Sequence, residues 1–258
     1  MQSVTHATLC GEAATLPHGP TGTTSIVAPP SAKQKTASPF SVRPLTRPER
    51  RRGDLYLYRS PKLSRTVELI GCVNTALALT LEFDPRVTAY VERPRKLTLA
   101  SGTSIELAFW TRERKGRERF WLPVAASDTL HTTTPRREHR QARDIIEAAQ
   151  IAHIDLEFFF EDDLRRQSAV LSTWYRLLPY VQTARTLPHR ESLSQQIMAM
   201  FQILEKATVE QIELQLQAFH AADVRAVLFD LMHRGELAMH DPTRLGRFSV
   251  LTRRGSHD

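Results

Sequence analysis

The spacing of hydrophobic and polar residues changes along the chain and divides it into three stretches. Residues 1 to about 45 show neither a helical nor a strand period and are rich in Thr, Ser, Ala, Gly and Pro. A segment of this composition cannot bury enough apolar surface to offset the entropy of ordering it. The pattern therefore predicts a disordered basic arm over residues 1–48, with folded sequence after it.

The second stretch mixes helices with several strands. Apolar positions over 66–83 favour a helix that ends at Asp84-Pro85, because the residue before a proline is driven out of the helical region. Ser101-Gly102 is typical of a hairpin turn. Together with a helix over 144–152, these features predict an α/β domain over residues 49–155. Its strand-like runs cover residues 55–58, 87–91, 96–99, 104–110 and 119–125.

The third stretch, residues 156–258, is predicted to be a second, mostly helical domain. A short strand-like run covers 155–160. A helix over 162–178 is expected to end before Pro179, and another helix covers 193–204.

The end of the chain has a more compact pattern. Thr208 is a typical N-cap for a helix with Ile212, Leu214 and Leu216 on its core side. A second helix over 221–233 stops at Gly235, a left-handed C-cap, and residues 236–251 are typical of a β-hairpin. This order of helix, turn, helix and hairpin predicts a winged helix, a module that binds DNA or docks on protein.

Composition narrows the class of protein. The 258 residues are 41% hydrophobic, which suffices for a packed core. A formal charge of +7 favours a polyanionic partner, and two cysteines are too few for a disulfide framework or a zinc cluster. The apolar runs are far shorter than the roughly 20 residues of a membrane span, and the start lacks a secretory pattern. A soluble, intracellular, basic protein is expected.

Basic residues form three groups that are candidates for DNA binding. An isolated arginine is usually a solvated surface charge, so the hypothesis depends on the clustering. Contacts to phosphate would make the affinity fall as salt rises. The candidates are Arg43, Arg47, Arg50, Arg51 and Arg52 at the end of the arm, Arg93, Arg95 and Lys96 near the predicted hairpin, and Arg244, Arg247, Arg253 and Arg254 on the predicted wing and tail.

The segments Leu57–Leu69 and Leu81–Pro94 resemble the start of TnsA-type proteins, the endonuclease subunits of heteromeric transposases. Residues 155–182 are similar to the segment after the family's nuclease core, and Thr208–Leu251 are similar to its C-terminal winged helix. The resemblance covers about residues 50–254 by order and spacing. It implies an α/β restriction-endonuclease-like domain followed by an α-helical and winged-helix domain.

The resemblance also implies a degenerate active site. The family holds Mg²⁺ with carboxylates from a helix and two strands, and a lysine assists the attacking water. Its helix glutamate pattern falls on Ile70, Gly71 and Asn74, and its metal-binding aspartate falls on Ala108. Its Glu/Gln-x-Lys strand falls on Pro123–Ala125. Neither Asn74 nor Ala108, Pro123 or Ala125 supplies the expected group. No catalytic residue, metal or cofactor is therefore expected, and Mg²⁺ is expected only if the nuclease is active.

Other carboxylates are candidates to replace the missing ones. They are more often solvated or salt-bridged surface acids. Glu106 lies two residues before Ala108 and would share its strand face. The candidates are Glu68, Glu82, Asp84, Glu92, Glu106 and Asp128.

These observations lead to one functional hypothesis and two alternatives. The hypothesis is an inactive, DNA-binding TnsA-like subunit in the bacterial cytoplasm, associated with the nucleoid. Its expected partners are transposon-end DNA, a DDE-type transposase and an AAA+ ATPase regulator. The alternatives are a winged-helix transcriptional regulator and an active Mg²⁺-dependent endonuclease with relocated carboxylates. Loss of cleavage would favour replicative transposition.

Overall fold

The chain folds as a mixed α/β protein, which confirms the predicted class. The computed structural model describes residues 38–131 and 137–255, so residues 1–37 of the predicted arm lie outside the described residues. Ser38–Asp258 form one compact unit. The predicted division at residue 155 stays a prediction.

The elements follow one another in three groups. The first group is α1 (Arg47–Arg52), β1 (Leu55–Ser60), β2 (Arg65–Ile70), α2 (Cys72–Phe83), β3 (Val87–Glu92), β4 (Lys96–Thr98), β5 (Ser104–Glu106), β6 (Phe109–Glu113) and β7 (Glu118–Val124). The second is a 3-10 turn (Ala126–Asp128), β8 (Thr129–His131), β9 (Arg137–His139), α3 (Ala142–Ile151) and β10 (Leu156–Phe160). The third is α4 (Glu161–Arg166), α5 (Ser168–Ala184), α6 (Arg190–Ile203), β11 (Lys206–Thr208), α7 (Val209–Gln215), α8 (Ala221–Arg234), β12 (Leu237–Met239) and β13 (Val250–Arg253).

Four strands form the central sheet, in the order β10-β7-β6-β3. Strands β3, β6 and β7 are antiparallel neighbours, whereas β10 pairs parallel with β7. A parallel neighbour requires a crossover connection, and the crossover between β7 and β10 contains α3. Strand β10, predicted to begin the second domain, therefore lies in the same sheet as the strands before it.

Helices cover both faces of this sheet. Successive residues of a strand point to opposite faces, and each face has its own apolar core. Phe109 and Tyr90 pack with Leu77 of α2 on one face. Trp110 packs with Ile145 of α3 on the other. Consecutive residues are accordingly buried, over 90–92 in β3 and over 109–111 in β6.

Helix α2 belongs to two cores at once. Leu77 and Leu81 pack towards the sheet, whereas Leu79 and Phe83 join the core of the C-terminal helices. The ring of Phe83 stacks on Trp174 of α5, with centroids 5.8 Å apart. The two halves of the chain therefore share a helix.

The C-terminal part is built around α8, which contacts α5, α6 and α7. A three-stranded sheet in the order β11-β13-β12 follows. Thr208 caps α7 in a capping box with Gln211, and Gly235 ends α8 at a φ of 79°, as the sequence predicts. Leu214, predicted on the core side of α7, is instead 60% exposed, because Ile212 and Leu216 at i, i+4 occupy the buried face.

Two predicted elements are divided differently in the structure. Residues 66–70 are a strand rather than the start of a helix, because Val67 and Leu69 alternate with more polar residues and β2 pairs with β1. Gly71, at a φ of 82°, separates β2 from α2. The strand predicted over 104–110 is two strands, since β5 pairs with β4 whereas β6 joins the central sheet.

The helix predicted to end before Pro179 continues through it. The break lies at Gln167, between α4 and α5. Pro179 has no N–H to donate to the carbonyl of Tyr175, but Tyr175 is 66% exposed, so solvent reaches this turn. Burial of Leu177, Leu178 and Val181 on the opposite face of α5 outweighs the lost hydrogen bond.

Residues 38–48, expected in the arm, are folded onto the sheet. The ring of Phe40 lies 5.5 Å from Trp110 and 5.2 Å from Phe120, centroid to centroid. Leu45 is buried, and a capping box of Thr46 and Glu49 begins α1. The described part of the predicted arm thus has its own apolar anchors.

Candidate functional site

A cavity of about 440 Å³ lies where β6 and β7 separate. The pairing of these strands ends at Phe109 and Trp121, and Pro123 of β7 comes two residues later. Pro123 lacks an N–H, and its place beyond the paired region spares β6 a lost ladder bond. The divergence of the two strands creates the space.

Three of the positions marked as emptied by the family resemblance line this cavity. Asn74 comes from the first turn of α2, Ala108 from the link between β5 and β6, and Pro123 from β7. Ala125, the fourth position, follows the end of β7 and is not among the lining residues. Residues far apart in sequence thus meet at one place in the fold.

Only one of the two polar atoms in the Asn74 side chain makes a hydrogen bond among the described residues. Its Nδ2 donates to the carbonyl of Ile70 at 2.9 Å. Its Oδ1 is buried and has no hydrogen-bond partner within the part of the chain that the structure describes. An unpaired buried acceptor is costly, so this amide is available to a donor in the cavity.

The two carboxylates of the cavity wall, Glu49 and Glu106, both bind Arg43. The guanidinium donates to both oxygens of Glu106, at 2.5 and 2.8 Å, and to Glu49 at 2.8 and 3.1 Å. Hydrogen bonds from Arg43 and Thr46 hold the pKa of the Glu49 carboxyl well below its usual range. The bonds to Glu106 and Glu49 raise the pKa of Arg43. Both carboxylates therefore share the single positive charge of Arg43.

This donor set does not fit Mg²⁺. The ion prefers several hard oxygen ligands, commonly carboxylates, in a near-octahedral shell. Asn74 offers one amide oxygen, Ala108 and Pro123 offer no side-chain ligand, and Glu106 is committed to Arg43. Among residues 38–131 and 137–255, no group of three or more His, Cys, Asp or Glu side chains is arranged to hold a metal ion.

Glu82, another candidate carboxylate, is fully buried away from this cavity's wall. It accepts hydrogen bonds from Ser60 at 2.5 Å and Tyr90 at 2.6 Å, and His233 Nε2 lies 2.8 Å away. Burial alone would raise the pKa of Glu82, but the hydrogen bonds from His233, Ser60 and Tyr90 lower it to about 2. Glu82 is a structural anion between α2 and α8.

The remaining candidate acids do not line the cavity. Each of three pairs with a nearby arginine: Glu68 with Arg50 at 2.9 Å, Glu92 with Arg65 at 2.5 Å and Asp84 with Arg86 at 2.8 Å. Asp128 lies in the 3-10 turn after β7. The structure thus assembles a single candidate acid, Glu106, at the cavity.

The predicted DNA-binding residues of the first two groups separate into solvent-facing and internally bonded side chains. Three are engaged inside the protein: Arg43 with Glu49 and Glu106, Arg50 with Glu68, and Arg93 with backbone carbonyls. Arg50 is nevertheless exposed, and the other exposed members are Arg47, Arg51, Arg52, Arg95 and Lys96. Arg52 also lines the cavity.

The third group surrounds the loop between β12 and β13. Arg244, Arg247, Arg253 and Arg254 are exposed. The guanidinium of Arg247 lies over the ring of Phe248 at 4.5 Å, and Phe248 itself is 61% exposed. Helix α8, by contrast, is buried from Val224 to Leu231 except at Arg225, which pairs with Glu213 of α7.

Sequence reasoning missed α1 and its partners. The signal was present in Thr46-Arg-Pro-Glu49, which combines a capping box with a proline in the first helical turn. It also missed that Arg93 is buried, since a basic residue near a hairpin is usually exposed.

Comparison with known proteins does not place the chain in a family. No protein-family model matches it, and a search of curated proteins finds no match. Within the described ranges, none of the helices has the length and hydropathy needed to cross a membrane.

Proposed function

We propose that this protein is a DNA-binding, catalytically inactive TnsA-like subunit of a transposition complex. In this proposal, residues 49–155, together with β10 of their central sheet, are a restriction-endonuclease-like domain that has lost its active site. Residues 208–251 are a winged helix at the end of the helical part. The subunit would hold transposon ends for a DDE-type transposase and an AAA+ ATPase regulator in the nucleoid of a bacterium.

The observation that carries the proposal is that three positions marked by the resemblance line the same cavity. The resemblance assigns catalytic groups to a helix and two strands, and Asn74, Ala108 and Pro123 at those positions line a single cavity. The resemblance marks these positions from the sequence alone, so their meeting at one cavity supports the proposal.

Exposed arginines and lysine around this domain support DNA as the partner. Arg47, Arg51, Arg95 and Lys96 all face solvent, and such residues bind the phosphate backbone irrespective of sequence. The net charge of +7 has the sign that this partner requires.

The arrangement of α8 weighs against the alternative of a stand-alone regulator. A regulator of the winged-helix type would insert this helix in the major groove. Here α8 is packed among α5, α6 and α7, and Tyr180 of α5 packs edge-on against Phe229, with ring centroids 5.2 Å apart. The exposed arginines of the β12–β13 loop are the DNA-facing part of this module.

The test combines binding and cleavage on one DNA. Labelled duplexes from the ends of the element that carries the gene, and random duplexes of equal length, are incubated with the protein and Mg²⁺ or Mn²⁺. We expect a gel shift that weakens as salt rises, and no nicking with or without the neighbouring transposase proteins. Absence of any shift would contradict the proposal.

Metal-dependent cleavage would contradict the inactive assignment and favour the relocated-carboxylate alternative. In that case Glu106→Ala abolishes nicking, because Glu106 is the acid next to Ala108 at the cavity. A matched Glu68→Ala change, in an acid that does not line the cavity, would leave nicking intact. Without cleavage, we expect transposition products to be cointegrates.

A further inference from the structure

Arg93 has an unusual environment for an arginine. It is only 8% exposed and its φ is 51°, a left-handed conformation that is uncommon for a residue with a side chain. Its Nε donates to the carbonyl of Arg43 at 2.9 Å, and its Nη1 donates to the carbonyl of Glu68 at 2.7 Å. Within the described part of the chain, Nη2 makes no hydrogen bond. Arg93 lines the cavity.

The carboxylates around Arg93 are all bound by other arginines. Glu106 is held by Arg43. Glu68 is held by Arg50, and Glu92 by a bidentate bond from Arg65 at 2.6 and 2.5 Å. Arg93 thus keeps its charge in a buried place and forms no salt bridge with a described residue. A buried guanidinium without a direct ion pair is costly, so an anion that reached Nη2 from the cavity would bind favourably.

One further group of the cavity wall suits an anion. Arg52, the last residue of α1, lines the cavity from an exposed position. Ala108 and Pro123 add no charge to the wall, and its two carboxylates, Glu49 and Glu106, are both bonded to Arg43.

We propose that the cavity binds a phosphodiester of DNA through Arg93 and Arg52, in the place where an active nuclease would hold its metal ion. This proposal rests on the proposed DNA-binding function and names the contact made by the emptied site. A guanidinium fits phosphate well, because its planar N–H groups bond two oxygens at once. The site would hold the DNA strand in position without cutting it.

The main test changes the charge of the cavity at constant size. Ala108→Asp introduces a carboxylate, and Ala108→Asn introduces an amide of nearly the same shape. Binding of a fluorescein-labelled random duplex is measured by anisotropy in EDTA, so that no divalent metal screens the new charge. We expect Ala108→Asp to weaken binding about tenfold relative to Ala108→Asn, because only the carboxylate repels phosphate. Thermal melting of both variants confirms that they are folded.

A second pair of variants tests neighbouring positions of α1, and each variant removes one positive charge. Arg52 lines the cavity and Arg51 does not, while both are exposed. We expect Arg52→Gln to weaken binding by at least about threefold more than Arg51→Gln, and to lower the salt slope by about one. This pair leaves Ala108 untouched, so it keeps the test valid if the cavity variants fail to fold.

The outcomes separate the two proposals. If the unaltered protein does not bind the duplex, the proposed function fails and this inference fails with it. If it binds, but Ala108→Asp equals Ala108→Asn and Arg52→Gln equals Arg51→Gln, then DNA binds elsewhere. That result would overturn the phosphate site and leave the DNA-binding function standing.

Discussion

At the scale of single residues, the most constrained group is Glu82. It lies at 0% exposure and is bonded by side chains from three parts of the chain: Ser60 at the end of β1, Tyr90 of β3 and His233 of α8. The hydroxyl of Tyr58 extends the network, 2.7 Å from that of Tyr90. Such a network is stabilising only while every member is satisfied.

We predict that Glu82→Gln destabilises the protein by roughly 3 kcal/mol at neutral pH, because an amide cannot accept all of these bonds. Chemical unfolding followed by circular dichroism measures the change. As the control, Glu68→Gln removes a half-exposed salt bridge to Arg50 and is expected to cost less than about 1 kcal/mol. Equal losses for the two variants would show that Glu82 is not a structural anion.

The same residue predicts a pH dependence. The pKa of Glu82 is lowered from its ordinary value of 4.5 to about 2 in the folded protein. Its ionised form therefore stabilises the fold above pH about 4.5, and this stabilisation is lost as the pH falls towards about 2. We expect the stability difference between the unaltered protein and Glu82→Gln to shrink over this window. A difference that is constant from neutral pH to about pH 3 would contradict the assignment.

At the scale of elements, the C-terminal end of α8 packs closely against Pro85, just before β3. Gly235 ends the helix at a φ of 79°, and a Cβ built there would overlap Pro85. Gly102, in the β4–β5 turn, has a φ of 82°, but open space surrounds its Cβ position. The two glycines share a backbone conformation and differ in their surroundings.

We predict that Gly235→Ala costs about 3 kcal/mol of unfolding free energy, since it combines backbone strain with a clash against a rigid ring. Gly102→Ala has only the strain and is expected to cost roughly 1 kcal/mol. Urea unfolding of both variants measures the difference. Similar costs would mean that α8 and Pro85 do not pack as described.

The elements also show what sequence can predict and where it stops. Local sequence signals predicted the start of α7, because Thr208 is a typical N-cap. They also predicted the end of α2 at Asp84-Pro85. They failed for Pro179, because the burial of α5 is a tertiary effect. They also failed at 104–110, because the partners that divide β5 from β6 lie elsewhere in the chain.

The candidate site was predictable only in part. The resemblance marked Asn74, Ala108, Pro123 and Ala125, and the first three of these line one cavity. The sequence did not indicate that Arg43 binds Glu106, since the two residues are far apart in sequence and meet only in the fold. Nor did it indicate that Arg93 is buried.

At the scale of the whole molecule, α2 ties the sheet to the C-terminal helices. Leu77 and Leu81 pack in one core, and Leu79 and Phe83 pack in the other. The bond between Glu82 and His233 joins the same two parts. Unfolding of either part would leave an apolar face of α2 exposed to water.

We therefore predict a single cooperative unfolding transition. In Trp174→Phe, the remaining tryptophan fluorescence comes from Trp110 and Trp121 in the central sheet. Far-ultraviolet circular dichroism reports mainly the helices, most of which lie after residue 160. The two signals should have coincident urea midpoints. Separate midpoints would show that the sheet and the helices unfold independently.

The proposed function would have a consequence for evolution. Asn74, Ala108 and Pro123 belong to different elements, so the gain of a metal-dependent nuclease site here would need several substitutions at once. If the cavity holds phosphate, as proposed, an acid at position 108 on its own weakens DNA binding. Selection for DNA binding would then remove this first substitution before the others could follow.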